Sequence, residues 1–128
     1  MKDIILFSIL IVAIDSIYLS HISLPFGKMI RDIQGKPMKM KMMPAVIVYL
    51  AMIATWYVFI YKELKRHSFT ENIVRAALLG LFTYSIFDFT NMALIDGYRL
   101  DLAVIDSLWG ATLYGITTAI FIKGLKYL

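Results

Sequence analysis

Four long apolar stretches, separated by short polar or basic segments, account for most of the chain. They cover residues 4–24, 44–61, 73–95 and 102–122. About twenty mostly apolar residues are needed for an α-helix to cross the hydrocarbon core of a bilayer. We therefore predict an all-α fold, a polytopic integral membrane four-helix bundle, with a single membrane domain over residues 1–128.

The connections between these stretches carry charge and turn residues. The first helix is expected to end at Leu24, because Pro25 cannot easily continue a helix, and residues 25–43 then form a basic loop. Residues 62–75 are a short charged connection, and residues 96–101 form a tight turn. Connections of this length leave no room for a domain outside the membrane.

Composition strengthens the membrane interpretation and narrows the list of partners. The chain is 60% hydrophobic with a mean hydropathy of +0.74, far above the range of soluble domains. Its net charge of +4 suits lipid headgroups at the ends of spans, so we expect a lipid bilayer and no nucleic acid as partner. The absence of cysteine excludes disulfides, thiolate nucleophiles and cysteine-bound zinc. No cofactor is expected, and a plasma or inner membrane is the favoured location.

The third apolar stretch contains a polar stripe. Asp88 is the only charged residue between positions 76 and 95, and an aspartate near the bilayer centre costs about 2.5 to 3.5 kcal/mol. Tyr84, Asp88 and Asn91 are spaced at i, i+4 and i+7, which places them on one face of a helix. That face is therefore predicted to point toward other helices rather than toward lipid.

Two further carboxyl groups lie inside predicted spans. Asp15 is near the middle of the first span, and Asp106 lies about one turn inside the fourth. Carboxylates brought together in a low dielectric cannot all stay charged, so at least one should hold a proton, face a cation or be reached by Arg99. The predicted polar core comprises Asp15, Tyr18, Tyr84, Asp88, Asn91, Asp106 and Trp109.

Small residues recur on the third and fourth helices. They let helix backbones approach closely, so a row of them predicts a packing face, either within one chain or across a dimer. We expect a homo-oligomer that packs through this ridge on the fourth helix. The predicted packing residues are Gly80, Ser107, Gly110, Ala111, Gly115 and Ala119.

Three segments together resemble a known family. They are ALLGLFTYSIFDFTNMA at residues 77–93, Asp-Ser-Leu-Trp-Gly at residues 106–110, and Asp-Ser-Ile-Tyr-Leu at residues 15–19. The chain resembles the small four-span membrane proteins called domain of unknown function 2177. Its most specific matches are Asp88, Thr90 and Asn91 together with the Asp-x-x-Trp-Gly motif. The resemblance implies the four-span fold but no activity.

Function must then be argued from the polar core. Intramembrane acids mark ion and proton pathways, so the favoured hypothesis is a cation or proton channel or transport protein that carries protons or monovalent cations. The alternative is a structural or ligand-binding bundle whose buried acids hydrogen-bond the helices together. An enzyme acting on lipid is less favoured, because the chain has neither a His-Glu-x-x-His nor a Gly-x-Ser-x-Gly motif. We assign no catalytic and no metal-binding residue.

Overall fold

The computed structural model describes residues 1–125, with side chains through residue 124. All four long helices are of sufficient length and apolarity to cross a membrane, which confirms the predicted all-α polytopic fold. We call the membrane side of residue 1 the first side and the opposite side the second side. The helices are α1 (Lys2–Gln34), α2 (Met42–Phe59), α3 (Phe69–Leu94) and α4 (Leu100–Leu125), with a 3-10 helix (Tyr61–Arg66) between α2 and α3.

Helix α1 is longer than the sequence predicts. The expected end at Leu24 is wrong: the helix continues through Pro25 and ends at Gly35, whose φ of 74° gives a left-handed cap. Proline removes one backbone hydrogen bond, but tertiary packing of the following turns keeps them helical. Most of the predicted basic loop is therefore helix. The second-side part of α1 packs against Tyr98, Leu102 and Ala103. Its packed residues are Ile22, Phe26, Met29, Ile30 and Ile33.

The connection on the first side is fixed by side chains that bond to backbone. Ser68 Oγ accepts a hydrogen bond from the Glu71 backbone N–H at 3.1 Å, and the Ser68 N–H donates to Glu71 Oε1 at 3.0 Å. This capping box satisfies two N–H groups that the first turn of α3 would otherwise leave unpaired. Asn72 then donates from Nδ2 to the Leu64 carbonyl at 3.0 Å and ties α3 to the 3-10 helix.

Helices α3 and α4 approach most closely at two glycines. A Cβ added to Gly80 would lie 2.0 Å from the Gly110 carbonyl oxygen, and one added to Gly110 would lie 2.4 Å from Cγ of Tyr84. Further along, Gly115 is buried and faces Ala77. Gly110 and Gly115 of the small-residue ridge thus pack within one chain, and the use of the ridge by a second copy stays a prediction. Of its other members, Ser107 is buried, and Ala111 and Ala119 are half-buried.

The half of the bundle nearer the first side has an aromatic core. The rings of Phe7 and Trp56 stack with centroids 3.7 Å apart, and Phe121 meets Trp56 edge-on at 4.9 Å. Trp56 Nε1 donates to Thr118 Oγ1 at 3.0 Å, so the buried indole N–H is satisfied. These long side chains fasten α2 to α1 and α4.

Candidate functional site

The half of the bundle nearer the second side contains the three intramembrane aspartates. Asp15, Asp88 and Asp106 are 6%, 0% and 9% exposed, and they come from α1, α3 and α4. Each therefore points into the bundle, as their spacing on the helices predicts. Removing three carboxyl groups from water is costly, so their hydrogen-bond partners determine what the site can do.

Each oxygen of the Asp15 carboxyl group accepts one hydrogen bond. Tyr49 Oη donates to Asp15 Oδ2 at 2.5 Å, and Trp109 Nε1 donates to Asp15 Oδ1 at 2.9 Å. Both carboxyl oxygens thus have a partner that stabilises the charged form. Since the partners belong to α2 and α4, Asp15 also holds three helices together.

Asp106 is linked to Asp15 through an aromatic pair. Tyr18 Oη donates to Asp106 Oδ1 at 2.9 Å. The Tyr18 ring stacks on the Trp109 ring, with centroids 4.4 Å apart and planes within 6°. Because Trp109 bonds to Asp15, the stacked pair keeps the two carboxyl groups in a fixed relation.

Asp88 has the least satisfied carboxyl group of the three. Its Oδ1 accepts a hydrogen bond from Tyr98 Oη at 2.9 Å, whereas its Oδ2 is buried and has no donor. The nearby polar group is the carboxyl group of Asp106, which lies within hydrogen-bonding reach. Two carboxylates repel each other, but a proton held between them makes a hydrogen bond and removes one negative charge. A shared proton would therefore relieve the repulsion within this pair.

Tyr98 closes the site toward the second side. It lies in the turn between α3 and α4, where the extension of α1 covers it, with Phe26 meeting its ring edge-on at 6.2 Å. Burial raises the pKa of Tyr98 above its usual value, so the phenol stays a donor to Asp88. Asn91, one helical turn beyond Asp88, is half-buried and interacts with the same phenol.

Arg99 does not neutralise the site. Its guanidinium binds Asp101, with Nε to Oδ1 at 3.0 Å and Nη2 to Oδ2 at 2.5 Å, and this pair is exposed. The neighbouring Asp101 carboxylate raises the pKa of Arg99 above its usual value. The expectation that Arg99 could reach the buried acids is thus corrected: a closer carboxylate at the surface holds it.

A cleft leads from the lipid-facing surface to Asp106. It has a volume of about 380 Å³, its walls are α2 and α3, and α4 forms its floor. Val48 and Phe87 at its rim are more than half exposed, so they face the lipid. Its polar lining consists of Thr55, Thr83, Tyr84, Asp106 and Tyr114. Within the described residues, no group of three acidic or histidine side chains is arranged to hold a metal ion.

The structure brings most of the predicted polar residues together, and each of them has its own hydrogen-bonding or stacking contacts. Asp15, Tyr18, Asp106 and Trp109 form one hydrogen-bonded and stacked unit, and Asp88 joins it through Asp106. Tyr84 lies on the cleft wall.

Two donors, Tyr49 and Tyr98, are not among the predicted site residues. A signal for Tyr49 exists, because it is the only polar side chain between positions 44 and 54. Tyr98 has no such signal, since it lies in a polar turn where an exposed tyrosine is ordinary.

The spans and the buried acids define a class: an integral, multi-pass membrane protein with a carboxyl-rich core. The chain belongs to the family described as "Predicted membrane protein (DUF2177)", whose family model matches residues 1–122. This confirms the resemblance drawn from the three sequence segments. No curated protein and no solved structure matches the chain.

Proposed function

We propose that this protein moves protons, or small monovalent cations, through its acidic core as a channel or transport protein. The observation that carries the proposal is the Asp88 carboxyl group, which is 0% exposed and has one oxygen without a donor beside the carboxyl group of Asp106. A buried carboxylate without a full set of partners is costly, and a bound proton or cation removes that cost. Such a pair gains and loses a proton more readily than a fully bonded carboxylate.

A chain of exchangeable groups supports a route from the second side to the middle of the membrane. Tyr98 in the turn bonds to Asp88, Asp88 neighbours Asp106, and Asp106 accepts from Tyr18. Proton transfer requires groups within hydrogen-bonding reach, and these groups meet that condition. Asp15 differs, because two donors fix it, and we assign it a structural role at the inner end of the route.

Passage to the first side needs a further element, because the aromatic core lies in the way. The cleft beside Asp106 lies between α2 and α3 and opens toward the lipid, so it does not by itself connect Asp106 with the first side. A homo-oligomer would leave Gly110 and Gly115 of the ridge on α4 uncontacted, since α3 already packs on them.

The test is proton and cation flux into liposomes that contain the purified protein. Wild type is compared with Asp88→Asn and Asp106→Asn, which keep the side-chain shape and remove the acid. Asp96→Asn is the matched control, because Asp96 is an exposed aspartate in the second-side turn. We expect flux to fall at least about tenfold in the two core variants and to be unchanged in the control.

A folding measurement separates loss of transport from loss of structure. Each variant should elute as the wild type does in size-exclusion chromatography and melt within a few degrees of it. Wild-type liposomes that show no flux under a pH or cation gradient would refute the transport function.

The cleft favours a second candidate, the binding of a small amine or amphiphile. Asp106 offers a negative group at the end of an otherwise apolar cleft, which is the arrangement that recognises a cationic head with an apolar tail. Quenching of tryptophan fluorescence by a long-chain amine, absent in Asp106→Asn and in vesicles without protein, would favour this candidate over transport if flux were absent.

A further inference from the structure

A second cavity lies at the first-side surface, far from the acids. It has a volume of about 920 Å³, in the upper range for small-molecule sites. Four elements surround it: the start of α1, the 3-10 helix, the start of α3 and the end of α4. Its lining includes Asp3, Lys62, Lys65, Asn72, Ile122 and Lys123.

Three lysines give this cavity a positive charge. Lys62 and Lys65 lie on the 3-10 helix and Lys123 is near the end of α4, so three ammonium groups from two elements border one cavity. Lys62 Nζ lies 5.4 Å from the ring centroid of Tyr57, and Lys123 Nζ lies 5.4 Å from that of Phe69. These contacts hold both ammonium groups at the membrane surface, where lipid phosphates lie.

Asn72 provides an independent sign of a ligand. Its side chain is 3% exposed, and both amide hydrogens are used, by the Leu64 carbonyl at 3.0 Å and the His67 carbonyl at 3.3 Å. The assignment of its oxygen is therefore fixed, since a flipped amide would lose both bonds. The remaining atom, Oδ1, is buried without a donor although the residue lines the cavity. A ligand that donates a hydrogen bond there would satisfy it.

The cavity presents both lysine ammonium groups and hydrogen-bond acceptors, so its ligand should carry a negative charge and also donate hydrogen bonds. The lysines suit a phosphate, whereas Asn72 Oδ1 and the Asp3 carboxylate, which accepts from the Tyr61 hydroxyl, suit a group that donates. A simple phosphate monoester such as phosphatidic acid has no glycerol hydroxyls to offer these acceptors. We propose that this cavity binds the headgroup of an anionic phospholipid whose phosphodiester bears free hydroxyls, such as phosphatidylglycerol. The apolar walls formed by Leu64, Phe69 and Ile122 meet the start of its acyl chains.

Native mass spectrometry of the full chain in mild detergent tests this proposal. The protein is titrated with phosphatidylglycerol, phosphatidylcholine and phosphatidic acid of identical acyl chains. We expect phosphatidylglycerol to bind at least about tenfold more tightly than phosphatidylcholine, which has no headgroup donor and no net charge. Phosphatidic acid should bind more weakly than phosphatidylglycerol. Equal binding of all three lipids would overturn the proposal that this cavity recognises the phosphatidylglycerol headgroup.

A matched pair of variants separates this cavity from general surface attraction. Lys62→Gln, Lys65→Gln and Lys123→Gln combined should weaken phosphatidylglycerol binding about tenfold or more. The same change in charge at Lys36, Lys39 and Lys41, which are exposed between α1 and α2 on the second side, should have little effect. Equal weakening in both triple variants would overturn the proposal.

A water-soluble headgroup distinguishes a lipid site from a site for a free phosphate ester. Glycerophosphoglycerol, which is the same phosphodiester headgroup without acyl chains, should displace little phosphatidylglycerol at millimolar concentration, because it cannot contact the apolar wall. Displacement by glycerophosphoglycerol at micromolar concentration would overturn the lipid assignment in favour of a soluble ligand. All of these measurements are independent of flux through the acidic core.

Discussion

The two halves of the bundle both contain aromatic side chains but use them differently. Near the first side, Phe7, Trp56 and Phe121 fill the core, and the one buried indole N–H bonds to a threonine. Near the second side, tyrosines and Trp109 instead donate hydrogen bonds to carboxyl groups. Aromatic residues are thus packing material in one half and hydrogen-bond donors in the other. The buried acids, rather than the aromatic residues, therefore distinguish the second-side half from the first-side half.

A finer contrast exists within the second-side half. Asp15 receives two donors from two helices, whereas Asp88 receives one donor for two oxygens. A carboxyl group with both oxygens paired to donors on other helices braces the bundle. A buried carboxyl group with one unpaired oxygen keeps a cost of burial that a further donor would remove. Burial alone therefore does not distinguish the two aspartates, but the number of hydrogen-bond donors that each receives does.

The largest effect is expected from removing the aromatic core. Trp56→Ala deletes a fully buried side chain together with its stack on Phe7, and such deletions cost about 3 to 5 kcal/mol of unfolding free energy. Unfolding in increasing fractions of denaturing detergent, followed by circular dichroism, measures the loss. Trp56→Phe, which keeps a ring and loses the bond to Thr118, should cost less than half as much. A loss below about 1 kcal/mol for Trp56→Ala would show that the first-side half is not a packed core.

The next largest effect is expected where α3 and α4 touch. Gly80→Ala places a methyl group against the backbone of Gly110, which cannot move aside, so we expect a loss of about 2 to 3 kcal/mol. Gly115→Ala is the matched control, because its new Cβ would lie 3.5 Å from Cβ of Ala77, an ordinary contact. The control should change the unfolding free energy by less than about 0.5 kcal/mol. Gly115→Leu, which exceeds that space, should disrupt the packing. Equal stability of Gly80→Ala and Gly115→Ala would contradict the close glycine crossing.

Exchange of each acid for its amide tests the contrast between Asp15 and Asp88 directly. Asp15→Asn leaves only one acceptor oxygen for Tyr49 and Trp109, so we expect a loss of about 1 to 2 kcal/mol. Asp88→Asn keeps an acceptor for Tyr98 and offers an N–H to Asp106, so the unfolding free energy should stay equal or rise. The two unfolding curves are measured in the same detergent. The contrast fails if Asp88→Asn is the more destabilised of the two.

Sequence predicts the fold well here because a membrane restricts the choices. Spans are visible as apolar runs, and intramembrane acids must point inward, so the pattern alone places Asp15, Asp88 and Asp106 together in the bundle interior. The end of α1 could not be placed, because Pro25 is a local signal and the packing of Met29 on α4 is a tertiary one.

The hydrogen-bond partners of the acids were also beyond the sequence. Arg99 shows why: it has a buried acid and a surface acid within plausible reach, and only the geometry of the turn selects Asp101. Tyr98 also could not be assigned from the sequence, since it is buried only because the extension of α1 covers it. Both depend on contacts between residues far apart in sequence or on the shape of a turn, and a hydrophobic pattern encodes neither.

The smallest effect, and the most specific, concerns the one donor that Asp88 has. Tyr98→Phe removes a buried hydrogen bond and should cost about 1 kcal/mol, whereas Tyr57→Phe, which keeps the ring stack on Tyr61, should cost almost nothing. A double-mutant cycle between Tyr98→Phe and Asp88→Asn isolates the pairing of these two side chains. We expect the two changes to be non-additive by about 0.5 kcal/mol or more, because Tyr98 Oη donates directly to the side chain that Asp88→Asn alters. Strict additivity would mean that Tyr98 acts only as packing, and the route from the second side would then have to start elsewhere.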